Sequence, residues 1–264
     1  RIEKTLPEHG LKTYAGLGYV ERTPDFWELY STSTDRGVGS TDMMGMTTYR
    51  MLDNLDNLKT ERTAQLDLGF QAEHGAWSAW ASAYAGLIKD FILLEYNTPT
   101  MRQPLARNVD ATIAGAEAGL GYQFTDHFQA DISAMYAWGE NTSDHRALPQ
   151  IAPLEGRLNL RYVDEKYSLG LLWRAVAKQN RISLNEGNVV GYDMNESKAF
   201  DTLAVNGTYR LTDAVDVSVG IDNLLDKAYT EHLNKAGASM FGYAATEQFN
   251  NIGRNYWMRM SMKF

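Results

Sequence analysis

The chain has 264 residues, of which 44% are hydrophobic and 22% charged, and it contains no cysteine. This composition excludes an intrinsically disordered chain and a small disulfide-stapled fold. The formal net charge of -8 disfavours nucleic acid as a partner, because binding a phosphate backbone requires an excess of lysine and arginine. No apolar run approaches the roughly 18 to 20 residues of a membrane-spanning helix.

Alternation of apolar and polar residues with a period of two runs through most of the chain, and this pattern predicts strands. Leu66, Leu68 and Phe70, for example, alternate with polar residues and glycine. At the C-terminus, Tyr256 begins an apolar series on every second residue. About ten strands are predicted, around residues 11–20, 65–71, 76–93, 108–124, 127–139, 157–162, 166–179, 200–211, 215–222 and 255–264.

The connections between these strands alternate strictly between short and long. The short turns are polar, at 73–75, 125–127, 164–166 and 212–213. The long connections cover about 21–57, 94–107, 140–152, 180–199 and 226–253. This alternation is typical of an antiparallel transmembrane β-barrel with short periplasmic turns and long extracellular loops.

A soluble β-sandwich is the alternative, but it has no reason to place every long loop at one end. In the barrel interpretation the polar face lines the lumen, and aromatic residues beside the short turns form an interfacial girdle. The residues predicted for this girdle are Trp77, Tyr122, Phe124, Phe128, Tyr162 and Tyr167.

Five segments carry a more specific pattern. They are GLGYVERTPDFWELY at 16–30, NLDNLKTERTAQLDLGFQ at 54–71, LPQIAP at 148–153, GIDNLLDKAY at 220–229 and GRNYWMRMSMKF at 253–264. In this order and spacing they resemble the C-terminal barrel part of TonB-dependent outer-membrane receptors. Together with ARNVDATIAGAEAGLGY at 106–122 and TEHLN at 230–234, these segments are most similar in sequence to the TonB-dependent copper receptors.

The resemblance implies that residues 1–264 are the C-terminal part of a 22-stranded, all-β receptor barrel in the outer membrane of a Gram-negative bacterium. It also implies import of a metal substrate, which is copper for the most similar receptors. TonB would act through an N-terminal plug. No segment here corresponds to that plug, and Arg1 in place of Met indicates a mature or excised segment. The terminal Phe264 resembles a signal for the barrel-assembly machinery, and the other implied partner is outer-membrane lipid.

Methionines in the longest connection are the first candidate metal ligands. Met43, Met44, Met46 and Met51 fall within nine positions, and thioethers favour copper over hard cations. A packing role for these flexible side chains is the alternative. Further methionines in long connections are Met101, Met194 and Met240.

Two of the five histidines, His145 and His232, fall in long connections and are candidate imidazole ligands for the metal. Neither has a neighbour at an established zinc spacing. The remaining three, His9, His74 and His127, fall in predicted periplasmic turns, where solvated side chains are expected.

Enzyme signatures are absent: the sequence has no Gly-x-Ser-x-Gly elbow, no Walker loop and no His-Glu-x-x-His. No cofactor is predicted apart from copper as the transported ion. Three alternatives remain: a receptor for a ferric siderophore, a small self-contained outer-membrane pore, and a soluble β-rich binding protein.

Overall fold

The computed structural model describes residues 1–30, 39–41, 47–49, 58–96, 104–234, 244 and 247–263. Strands dominate these residues, with one short helix, α1 (Phe26–Tyr30), and one 3-10 turn, Pro7–His9. The strands are β1 (Ile2–Leu6), β2 (Leu11–Arg22), β3 (Gly39–Thr41), β4 (Thr47–Tyr49), β5 (Glu61–His74), β6 (Trp77–Glu95), β7 (Leu105–Gln123), β8 (Phe128–Asn141), β9 (Arg146–Ala147), β10 (Glu155–Val163), β11 (Tyr167–Val176), β12 (Glu186–Gly187), β13 (Phe200–Thr212), β14 (Val215–Asp222) and β15 (Asn255–Met262). No helix among the described residues has the length and apolar character needed to cross a membrane.

The sheet confirms the predicted antiparallel, all-β architecture. Eleven strands follow one another in chain order from β1 to β15, while β9 pairs with β8 and β12 pairs with β6, giving a 13-stranded sheet. All ten predicted strands are present. The sequence pattern missed β1 because Lys4 interrupts its apolar series. It also missed β3, β4, β9 and β12, because strands of two or three residues are too short to show a period.

Register across the sheet separates an apolar face from a polar face. Leu66 of β5 lies opposite Leu17 of β2, and Leu120 of β7 lies opposite Ile132 of β8. These four side chains are 43% to 80% exposed, so the apolar face is not covered by the described part of the chain. The polar face carries the residues between them. Apolar side chains left bare over a whole sheet face indicate a surface for lipid or another apolar partner.

The strand connections sort by length as predicted, with the short turns at one end of the sheet and the long connections at the other. The predicted aromatic residues meet at the short-turn end. Trp77 and Tyr122 have ring centroids 4.3 Å apart, and those of Tyr162 and Tyr167 are 5.7 Å apart. Phe124 bridges Tyr122 and Phe128 at 4.7 and 5.3 Å.

A row of charges crosses the apolar face at the long-connection end. Glu21 lies opposite Arg62, Arg62 lies opposite Lys89, and Lys89 forms an ion pair with Asp110. The row lies directly beyond Leu87, which is 63% exposed. The apolar face therefore has an aromatic border at one end and a charged border at the other.

Glycines on the polar face lie beneath aromatic rings of neighbouring strands. Tyr84 covers Gly115, and Trp80 covers Gly119, where an added Cβ would lie 2.6 Å from Trp80 Cε2. Flat rings over glycine fill the space between strands and shield the ladder hydrogen bonds. Aromatic rings therefore pack directly against the backbone on the polar face of the sheet.

The buried core lies at the long-connection end, where the chain folds back over the sheet. Leu58 packs with Ile92 and Leu94 in one cluster, and Leu148 packs with Ile88 in a second. These clusters anchor the long connections to β6 and β7, and they place the loop side chains described below.

Gly10 should tolerate no side chain. Its φ is 58°, and an added Cβ would collide with the backbone carbonyl of Glu73, whose N–H donates to Gly10 O at 2.9 Å. Gly75 has a similar φ of 57° but open space around it, so it is the matched control. We expect Gly75→Ala to lower the free energy of unfolding by about 1 kcal/mol, the strain of a left-handed residue. Gly10→Ala should lower it by about 3 kcal/mol or more because the backbone must also move. Equal losses in a denaturant titration would contradict the collision.

Candidate functional site

The end of β2 and helix α1 form a compact ion pair. Arg22 donates two hydrogen bonds to the Glu28 carboxylate, at 2.9 and 3.0 Å, and a third to Glu61 at 3.1 Å. Glu28 also accepts the Asp25 N–H at 2.8 Å, and its own N–H donates to Asp25 Oδ1 at 2.8 Å. This reciprocal arrangement is a capping box that starts the helix. It gives a physical role to Arg22 and Glu28 of the segment GLGYVERTPDFWELY.

Arg107 of β7 joins the end of β6 to two long connections. Its Nε donates to Glu95 Oε1 at 2.6 Å, and its Nη2 donates to Asp144 Oδ2 at 2.5 Å and to Glu186 Oε1 at 3.4 Å. Glu186 is buried and also accepts hydrogen bonds from Ser183 Oγ at 2.5 Å and Arg146 at 3.4 Å. One guanidinium thus links the end of β6 to connections 142–154 and 177–199.

Asp193 is a second centre of contacts between connections 142–154 and 177–199, which we call the loop assembly. The side chain of Asp193 is 0% exposed. Its Oδ1 accepts hydrogen bonds from Gln150 N at 2.9 Å and Gln150 Nε2 at 3.1 Å, and its Oδ2 accepts one from Ser183 N at 2.9 Å. His232 Nε2 lies 3.4 Å from Oδ1. The carboxylate therefore connects 142–154 and 177–199 to the last long connection, 223–254.

The loop assembly should loosen only in strong acid. Burial raises the pKa of Asp193, but His232 and the hydrogen bonds from Ser183 and Gln150 outweigh burial, and the pKa lies below its usual value. A hydrogen bond from Arg107 lowers the pKa of Asp144. Because both pKa values are lower in the folded state, the stabilisation is complete above the unfolded value of about 3.9 and is lost as the pH falls through the folded values.

We therefore expect the amides of Ser183 and Gln150 to keep their hydrogen-exchange protection from pH 7 to about pH 4, and to lose it below that. Protection that is already lost near pH 5.5 would contradict this assignment to the carboxylates.

The last long connection, 223–254, is attached to the sheet by ion pairs. Arg174 of β11 donates to Glu231 at 2.6 Å and to Glu155 of β10 at 2.6 Å. Lys227 forms an ion pair with Asp201 of β13 at 2.5 Å. These contacts hold the connection over the long-connection end of the sheet.

A cavity of about 690 Å³ lies between this connection and the polar face. Its lining combines side chains of the sheet with several asparagines. The lining residues are Leu172, Arg174, Thr202, Ala204, Asp222, Asn223, Tyr229, Asn234, Phe249, Asn250, Asn251, Ile252, Gly253 and Asn255. Several amides bond to the connection itself; Asn234 Nδ2, for example, donates to Phe249 O at 2.7 Å. The described lining contains neither histidine nor methionine, so it offers no soft ligand for a bare copper ion.

Comparison with known proteins identifies the family. The model of the TonB dependent receptor-like β-barrel matches residues 6–224. The chain belongs to this family. Its members are receptors and transporters, which agrees with the absence of enzyme motifs in the sequence.

Three relatives are informative. The solved structure of the copper transporter OprC is 45% identical, with a TM-score of 0.90 over 99% of this chain. A structure of the ferric enterobactin receptor of Pseudomonas aeruginosa, in complex with enterobactin, has a TM-score of 0.70 at 18% identity, again over 99% of this chain. The FrpB iron transporter of Neisseria meningitidis (F3-3 variant) has a TM-score of 0.67 at 18% identity over 99% of this chain. At such low identity the last two show a common fold alone.

A curated sequence, the ferric enterobactin receptor of Pseudomonas aeruginosa, is 22% identical over 98% of this chain. The receptor chain described here spans only a little over a third of these relatives: 36% of that sequence, 38% of the OprC and FrpB structures and 40% of the enterobactin complex.

The predicted thioether ligands of this receptor barrel, Met43, Met44, Met46 and Met51, lie outside the described residues. The same holds for Met101, Met240 and the terminal Phe264. Met194 is described, and it is buried rather than facing outward, with 8% of its surface exposed.

The two predicted histidine ligands have different environments. His145 is exposed in the turn after β8, with a positive φ of 53°. His232 is 4% exposed and lies against Asp193. Within the ranges that the structure covers, no group of three or more His, Cys, Asp and Glu residues is arranged to hold a metal ion.

Sequence reasoning did not predict the roles of Arg107 and Asp193. Each is a single charged residue in or beside a long connection, and nothing in the local sequence separates it from its solvated neighbours. The LPQIAP segment was a partial signal, because its Gln150 bonds to Asp193.

Proposed function

We propose that this chain is part of the barrel of an outer-membrane TonB-dependent receptor that imports copper into a Gram-negative bacterium. The observation that carries the copper assignment is the likeness to the copper transporter OprC, at 45% identity over 99% of the chain. The iron-related relatives named above cover the same length at only 18% to 22% identity.

The dimensions of the apolar face support a membrane location. Along β6, ten residue steps separate Trp77 at the aromatic border from Leu87 at the charged border, or about 33 Å of strand. At the tilt of about 40° found in such barrels this gives a height of about 25 Å, the height of the apolar band of outer-membrane barrels. Lipid is therefore the partner of the apolar face.

Orientation follows from the connections. Outer-membrane barrels have short periplasmic turns and long extracellular loops, so the loop assembly around Arg107 and Asp193 lies outside the cell. The polar face lines the lumen. TonB would act through a plug domain encoded outside these residues, and Phe264 would address the chain to the barrel-assembly machinery.

Capture of copper is assigned to the thioethers of Met43, Met44, Met46 and Met51 in the extracellular connection, with exposed His145 as a further ligand. Methionine thioethers prefer Cu(I), and imidazole accepts copper in either oxidation state. The amide-rich cavity offers no such ligand in its described lining, so it is not the proposed capture site.

Changing all four methionines to leucine should reduce receptor-dependent copper uptake about tenfold at limiting copper, the factor that a loss of about 1.4 kcal/mol in binding produces. The matched control is leucine at Met258, Met260 and Met262, which lie on the apolar face, 48% to 76% exposed; this variant should retain uptake. Equal uptake by both variants would remove the methionines from the proposal. If deletion of the whole receptor left copper uptake unchanged, copper would be excluded as the cargo.

A ferric siderophore is the second candidate cargo, because the enterobactin receptor shares the fold over 99% of this chain. This candidate would be favoured if iron accumulation from ferric enterobactin depended on the receptor and copper uptake did not. A self-contained pore predicts copper uptake that persists in cells lacking TonB.

A further inference from the structure

Three extracellular connections converge on one buried point. Asp193 comes from connection 177–199, Gln150 from 142–154 and His232 from 223–254. The side chains of Asp193 and His232 are 0% and 1% exposed, so the described structure encloses this point completely.

His232 lacks the hydrogen bonds that its burial requires. Within the described structure neither Nδ1 nor Nε2 has a hydrogen-bond partner, although Nε2 lies 3.4 Å from Asp193 Oδ1. Buried polar nitrogen atoms without a partner are rare in native proteins, and an ion is one of the groups that explains them. Beside this imidazole lies a carboxylate, the second ligand type that a divalent cation would need.

The separation of the two atoms matches a shared cation. Two ligands about 2.05 Å from a tetrahedral metal are about 3.3 to 3.4 Å apart, and these bond lengths are the usual ones for zinc with imidazole and carboxylate. The third group is Gln150, whose amide nitrogen lies 3.1 Å from the same Oδ1. Rotation of that amide would present its oxygen and free one lone pair of Asp193, and the two amide orientations are nearly indistinguishable in shape.

We propose that His232, Asp193 and Gln150 form a site for a divalent cation of borderline softness, Zn(II) or Cu(II), which fastens connection 223–254 to the other two connections. The site is a clamp between extracellular loops and not the capture site for cargo. It does not depend on copper being the cargo, since zinc alone is sufficient to test it.

The test uses the full receptor in detergent with zinc chloride as the probe, because zinc in proteins is bound by imidazole, carboxylate and thiolate groups rather than by thioethers. Zinc should slow hydrogen exchange in segment 226–234 at least about tenfold, and EDTA should reverse the effect. His232→Gln should abolish the zinc effect. His145→Gln, which changes the exposed histidine of a neighbouring loop, should retain it.

An equal zinc effect in His232→Gln and in the unmodified receptor would overturn the proposal, as would the absence of any zinc effect in the unmodified receptor. Because His232→Gln could also disturb the loops, the unmodified receptor gives an independent measurement. Anomalous scattering from zinc-soaked crystals should show a peak between His232 Nε2 and Asp193 Oδ1, and bound zinc found only elsewhere would refute the site. Either failure leaves the copper uptake experiment unaffected.

Discussion

Replacement of Arg174 by Met should release connection 223–254 from the lumen wall. Arg174 is only 22% exposed and neutralises Glu231 and Glu155, whose side chains are 24% and 9% exposed. Removing the cation breaks the ion pair of Glu231 and leaves Glu155 paired with Arg157 alone. Breaking a buried ion pair in this way costs about 3 to 5 kcal/mol, and we expect about 2 to 4 kcal/mol here because the site is partly open.

Arg157→Met is the matched control. Arg157 also pairs with Glu155, at 2.6 Å, but its side chain is 55% exposed, so its loss should cost less than about 1 kcal/mol. Hydrogen exchange of segment 226–234 is the measurement, with the receptor in detergent. Exchange should accelerate about 30-fold or more in Arg174→Met, as expected for about 2 kcal/mol, and little in Arg157→Met. Similar rates in the two variants would show that Arg174 does not hold the connection.

Replacement of Arg107 by Met should have the largest effect on the loop assembly. Three carboxylates lose a shared cation: Glu186, Glu95 and Asp144, which are 7%, 18% and 27% exposed. Their mutual repulsion would no longer be balanced, since like charges in a low-dielectric site destabilise each other. We expect a loss of about 3 to 5 kcal/mol in the local stability of connections 142–154 and 177–199.

Arg146→Met provides the comparison for Arg107. Arg146 pairs with Glu186 at 3.4 Å and is 54% exposed. Limited proteolysis within residues 180–199 should be fast in Arg107→Met and close to that of the unmodified receptor in Arg146→Met. The lower pKa of Asp144 should also be lost with Arg107, so the acid release of the loops should move to higher pH. An unchanged acid profile would argue against Arg107 as the cause of that shift.

The sequence predicted the wall of this barrel because a strand's faces are encoded locally. A side chain on every second residue points to the same face, so the apolar series of β5 and β15 could be recognised without any tertiary information. The lengths of the connections then placed the short turns and the long connections at opposite ends. Of the strands with five or more residues only β1 was missed, since Lys4 lies among its apolar positions.

The family could also be predicted from the sequence, because its motifs are short and continuous. The structure adds their physical reasons. Arg22 and Glu28 are six residues apart and form an ion pair, while Glu28 also caps helix α1 together with Asp25. Gly220 of GIDNLLDKAY lies under the ring of Trp257 from GRNYWMRMSMKF, so these two motifs meet in one cross-strand pair.

What only the tertiary structure decided is the chemistry of the loops. Asp193 and His232 are 39 positions apart, Asp193 and Gln150 are 43 apart, and no local pattern relates them. A charged residue in a long connection has the same local appearance whether it is solvated or buried, because burial is set by which other loops fold over it. The period of the strands determined the wall, whereas contacts between distant connections determined which histidine is exposed and which carboxylates share a cation.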